Sequence, residues 1–108
     1  MINPHPKKVK QLIRELGSIA YEHELVALLE HLEQDFKKWR GGEMESVDLA
    51  ERIHVFHDKT SRELYKRYWM GELDFAVAYA IVENILRADE VDARVMQALA
   101  PQIAFAKA

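Results

Sequence analysis

The residues best equipped for chemistry in this chain stand together in Glu51-Arg52-Ile53-His54-Val55-Phe56-His57-Asp58. Imidazoles, carboxylates and a guanidinium in so short a run could ligate a metal, activate water or hold a phosphate. Glu51 and His54 have the Glu-x-x-His spacing that puts two ligands on one helix face, and His57 extends the row by a turn. A two-metal bundle needs a second such motif, and the sequence has none. Twelve glutamates and five histidines in 108 residues produce about half a match of this spacing by accident, so the spacing alone does not select a metal site. The alternative for His57 is a core histidine whose ring nitrogens bond Thr60, a backbone carbonyl or a carboxylate of another helix. The stripe Leu49, Ile53, Phe56 favours that alternative, because His57 lies close to its centre. His23, His31 and His54 fall off or at the flank of apolar stripes and are expected at the surface.

The string Val55-Phe56-His57-Asp58-Lys59 resembles, over five residues, the His-Asp dipeptide of the HD phosphohydrolases. Those are all-helical enzymes whose metal is held by a His, the His-Asp pair and a later Asp. The resemblance implies His57 and Asp58 as ligands, His31 or His23 as the earlier one and Asp89 or Asp92 as the later one. The small residues or glycines that usually follow the dipeptide there are replaced here by Lys59-Thr60. Arg52 and His57 are similarly spaced to the Arg-x4-His of the HEPN ribonucleases, helical dimers acting on RNA phosphates. About one such match arises by chance in this composition, and Ile53 stands where a polar residue commonly follows the arginine. Under these two resemblances the catalytic candidates are His57, Asp58 and Arg52.

A different chemistry is offered by Arg62-Glu63-Leu64-Tyr65-Lys66-Arg67-Tyr68-Trp69, where cations interleave with large aromatics. Such a mixture suits anionic ligands, single-stranded nucleic acid or a protein hot spot. The simpler expectation is one inward aromatic stripe with Glu63 paired to Arg67 across a turn. The run Leu73 to Leu86 is apolar on almost every side, with Phe75, Val77, Tyr79, Ile81, Val82 and Ile85 pointing around a helix. It is either a central helix buried all round or a helix that shares one face with a second copy, where Glu83 or Asn84 would need a partner.

The elements that must position these groups read as helices throughout. Val9, Leu12, Ile13 and Leu16 recur at helical spacing until Gly17, which is expected to stop a first helix. Ser18 then caps a second, with the stripe Tyr21, Leu25, Leu28, Leu29, Leu32, Phe36 and Trp39. Lys37, Lys38 and Arg40 suit its C-terminus, and Gly41-Gly42 ends it. Ser46 or Asp48 is expected to cap the next helix. Its stripe is rotated by roughly 80° from that of Leu64, Tyr65, Tyr68 and Trp69, at about 100° per residue. That rotation, and the capping-box form Thr60-Ser61-Arg62-Glu63, predict a break near residues 58–61. Asp89 is expected to cap a final helix bearing Val91, Val95, Ala98 and Leu99, interrupted by Pro101, with Ile103 and Phe105 on a short tail.

Together these elements give an all-α chain, a compact bundle of five to six helices in a single domain over 1–108, with an irregular lead-in at 1–6 and a loose tail at 101–108. No stretch approaches the roughly 18 apolar residues of a membrane span. A chain without cysteine has no disulfide, thiolate nucleophile or cysteine-held metal, and the expected address is the cytoplasm. A net charge of -3 disfavours bulk nucleic-acid binding. The expected function is a small protein-interaction or regulatory module, forming a homodimer or binding another protein through Tyr65, Trp69, Phe75, Tyr79, Arg62 and Lys66, and needing no cofactor. A phosphohydrolase with metal on His57, Asp58, His31 and Asp89 stands second. A polyanion binder using Arg62, Lys66 and Lys37 to Arg40 stands third.

Overall fold

Pro6, at φ -56° and ψ 153°, lacks the helical ψ and opens a helix at the next residue. From there α1 runs unbroken over Lys7–Arg40, 34 residues or about 51 Å. The computed structural model describes residues 5–108, so most of the expected lead-in lies outside the described residues. The expected stop at Gly17 and cap at Ser18 are not there. Gly17 is buried inside α1, and a Cβ on it would stand 2.8 Å from Leu73 Cδ1. The glycine therefore admits another helix instead of ending its own. At Gly41-Gly42 the expected terminator is present. Gly42 takes φ 81°, and Glu43 N–H reaches back to Lys38 C=O at 2.8 Å, closing a Schellman turn.

Helix α2 (Ser46–Val55) begins after Glu45, and neither Ser46 nor Asp48 caps it. The Ser46 hydroxyl instead accepts from Trp39 Nε1 at 2.9 Å and ties the two helices at their junction. The irregularity expected at 58–61 is a π turn, Phe56–Thr60, leading directly into α3 (Ser61–Trp69) with no side-chain cap from Thr60. The capping box is not formed because Thr60 itself is helical. One inserted residue turns the register by about 100°, while Ile53 and Tyr65 of the two expected stripes are 40% and 49% exposed, so Val55 stands on the inner side in place of Ile53. A single rod thus presents Leu49, Val55, Leu64 and Tyr68 toward α1 without breaking.

Helix α4 (Leu73–Val82) is shorter than its apolar run suggests. Asn84 takes φ 59°, Ile85 N–H bonds Ala80 C=O at 2.9 Å, and the chain turns away from the helix. Ala76, Val77, Ala78 and Ala80 are buried, but Phe75 and Tyr79 face solvent, so burial is not all round. After a short 3₁₀ turn, Ala88–Glu90, α5 (Ala93–Ala98) is capped by Asp92, whose carboxylate accepts from Arg94 N–H; Asp89 caps nothing. The expected interruption is present, since α5 stops at Ala98 and Pro101 opens a new helix. The proline sits in the first turn of α6 (Ala100–Lys107), where its missing N–H costs no bond, and Ile103 anchors that helix in the core. The expected loose tail is therefore a packed helix against α4.

All these elements are helical, and there is no strand among the described residues. The core holds Ile13, Leu16 and Ala20 of α1 with Leu64, Tyr68, Val77, Leu86, Val95 and Leu99. It occupies one end of the molecule, because every buried residue of α1 lies between Val9 and Ala20. The outer half of α1 continues past it beside α2. The result measures 53 × 29 × 26 Å with a radius of gyration of 17.1 Å, against about 13 Å for a globular chain of this length.

Candidate functional site

The outer half of α1 and the α2–α3 rod lie side by side with no third helix over them among the described residues, leaving an open groove along their seam that the segment after α4 reaches only at its inner end, through Ile85. Its inner stretch, about 670 Å³, is floored by Leu28, Val55, Leu64 and Ile85. Its outer stretch, about 440 Å³, is floored by Leu28, Leu32, Val55 and Phe56. Leu28, His31, Val55 and Thr60 line both, so the two form one trough with an apolar bottom and charged rims. The stripe that builds the α1 wall is only half-buried: Leu25, Leu28, Leu32, Phe36 and Trp39 each keep part of their surface in water. Val26 and Leu29 beside it are 44% and 47% exposed. In the arm beyond the core, Leu49 alone is buried among the described residues. The π turn supplies Phe56 and Thr60, in keeping with the tendency of such turns to sit at functional sites.

The rims are fixed by ion pairs between the walls. Arg67 Nη1 donates to both Glu24 oxygens at 2.9 and 3.1 Å, and the Tyr68 hydroxyl donates to Glu24 Oε2 at 2.5 Å. Burial first, and then the Glu24 carboxylate, push the Tyr68 phenol above its ordinary value. The guanidinium of Arg67 also stands 5.1 Å from the centre of the Tyr79 ring. Further out, Arg52 donates to Asp35 at 3.1 Å, and at the inner end His23 meets Glu90 at 3.0 Å. The Arg87 N–H, followed by His23, holds the Glu90 carboxyl below its usual range. Glu51 and Lys59, one on each stretch of the rod's rim, have no ionic partner among the described residues.

The residues singled out from the sequence are distributed over several places. His57 is exposed, not a core residue, and hydrogen-bonds neither Thr60 nor any other group among the described residues. With Asp58, Ser61, Arg62, Tyr21 and Tyr65 it lines a separate pocket of about 280 Å³. Asp58 faces His54 at 3.2 Å, His31 lies in the groove, and Asp89 pairs with Arg87 at 3.0 Å. The four proposed ligands are thus not brought together, and no group of three or more His, Asp or Glu able to hold a metal occurs among the described residues. Arg52, offered as catalytic, is held by Asp35.

The expected aromatic stripe is split. Tyr68 is buried, Trp69 is half-buried against Tyr21, and Tyr65 is 49% exposed. Arg67 turns to Glu24 instead of Glu63. Phe75, 45% exposed, meets Phe105 edge-on at 5.5 Å. Lys66 is exposed, and Lys37 to Arg40 form the last turn of α1, where Arg40 lies 5.5 Å from the Trp39 ring centre.

The groove itself was not visible as a motif. Its one sequence signal is a stripe on α1 that runs three turns farther than the core needs. No helix among the described residues is long and apolar enough to cross a membrane. No protein-family model, curated protein or solved structure matches this chain.

Proposed function

We propose that this chain is a cytoplasmic protein-interaction module that self-associates, and that its working surface is the groove between the outer half of α1 and the α2–α3 rod. The observation that carries this reading is the half-covered stripe Leu25, Leu28, Leu32 and Phe36 opposite Val55 and Phe56. Two antiparallel helices leave open the face that a four-helix bundle closes. The same two helices from a second copy would close it, and the apolar surface removed from water drives the association. The exposed aromatics Phe75 and Tyr79 support this surface less well, since one already rests on Phe105 and the other lies beneath Arg67.

The test is solution mass by light scattering across about a hundredfold dilution, which spans the dissociation of a micromolar dimer. A dimer that dissociates on dilution, and that Val55→Arg shifts to monomer with helicity kept by circular dichroism, supports the reading. A wild-type monomer at every concentration sinks it.

A further inference from the structure

The groove has a middle. Val55 lines both its stretches, with Glu51 one turn before it on the outer stretch and Lys59 one turn after it on the inner. Both charged residues are exposed, and neither has an ionic partner among the described residues, whereas Glu24, Asp35, Arg52 and Arg67 around them are already engaged. Glu51 and Lys59 thus stand four residues to either side of Val55 on the groove itself, whereas Asp58 and Arg62 line the separate pocket beside Tyr21 and Tyr65, and Glu63 on the inner stretch mirrors the apolar Val47.

A twofold interface requires that if residue i meets j on the second copy, j meets i. Opposite charges placed evenly about one apolar residue meet that requirement when two rods lie antiparallel with the axis at that residue. In a parallel pairing each of these charges would meet its own like, which is unfavourable. We infer that the groove's occupant is a second copy of this chain, antiparallel, with the twofold axis at Val55 and with Glu51 of each copy paired to Lys59 of the other. This rests on the self-association reading and adds to it the orientation, the register and the residues that select the partner.

The decisive experiment uses full-length chains in which Glu51→Lys and Lys59→Glu are made singly, together in one chain, and mixed as two single variants. Each single variant places two like-charge contacts in the symmetric interface where two opposite pairs stood. Its dimer is expected to dissociate about tenfold more readily at low salt, from the usual strength of exposed pairs. Mixing the two single variants restores opposite charges at both contacts, so a heterodimer forms with near wild-type affinity, read by light scattering and by energy transfer between labelled chains. The doubly substituted chain likewise recovers homodimerisation. Single variants that dimerise as well as wild type, or that fail to recover on mixing, overturn the antiparallel register while leaving self-association standing. A monomeric wild type overturns both.

Discussion

Replacing Tyr68 by Phe removes one oxygen from the place where the core meets the arm. The Tyr68 side chain is 1% exposed, and its hydroxyl donates to a Glu24 oxygen that also accepts from Arg67. A hydrogen bond to a charged group contributes about 1.5–3 kcal/mol. Glu24 keeps both Arg67 bonds in the variant, which places the loss near the lower end, about 1.5 kcal/mol, or a fall in melting temperature of about 5–10 °C. Glu24→Ala should cost more, because it strands a buried hydroxyl and frees Arg67 together. The double variant should cost less than the sum of the two, as residues in one network do. Urea denaturation followed by circular dichroism measures all three.

The same bond sets an alkaline limit. Because the folded-state phenol titrates above its ordinary value near 10, its contribution is complete below about pH 10 and is lost as pH rises toward the folded value. Wild type should lose stability above pH 10 more steeply than Tyr68→Phe. A variant within about 0.5 kcal/mol of wild type, with a parallel alkaline limb, would refute the reasoning, since that is the range of ordinary surface substitutions.

Two further outcomes follow from backbone positions. Gly17→Ala gains up to about 1 kcal/mol of helix propensity but displaces the end of the Leu73 side chain, so urea denaturation should find it close to neutral. Gly17→Val, with no such freedom at its branched carbon, should cost about 2 kcal/mol by overpacking against α4; equal stabilities would show that the helices do not approach there. Asp92→Ala removes the cap of α5 and should lower the melting temperature at neutral pH. The Arg94 side chain and its N–H hold this carboxyl at about 2, so its contribution is present above the usual carboxylate range and fades as pH falls toward 2. The acid limb of the variant's stability profile should accordingly be flatter; an unchanged limb counts against the cap.

The helical class was legible because periodicity near 3.6 recurs from Val9 to Leu99, and the Gly41-Gly42 turn was legible because glycine and a cationic last turn occur together. Gly17 misled for a physical reason. A glycine that ends a helix and one that lets a second helix approach are alike until the neighbour is known, and the neighbour is Leu73, far along the chain. Asn84 hid its turn for a related reason, since nothing in the apolar run before it distinguishes a helix that ends from one that goes on. The rotated stripes did locate the irregularity in the rod, but a π turn realigns stripes as well as a break does, and sequence cannot choose between them. The groove was least legible. Its residues are ordinary one by one, and only the absence of a covering element, a fact about the whole fold, makes them a site. His57 drew attention by its type, while His31, expected at the surface and named only as an earlier ligand of the phosphohydrolase reading, is exposed and lines both stretches of the groove.

The unbroken course of α1 has a consequence for how the molecule opens. Ile13 and Leu16 are buried in the core, so the amides around them should exchange with solvent hydrogen only when the whole fold comes apart. Those beyond Ala27 are held on one side only and need no more than a local parting of the arm. One continuous helix should thus carry two levels of exchange protection, with the step close to Glu24, where Tyr68 and Arg67 grip it. Occupation of the groove would slow the outer amides and leave the inner ones as they were, so the helix reports its own state of assembly along its length.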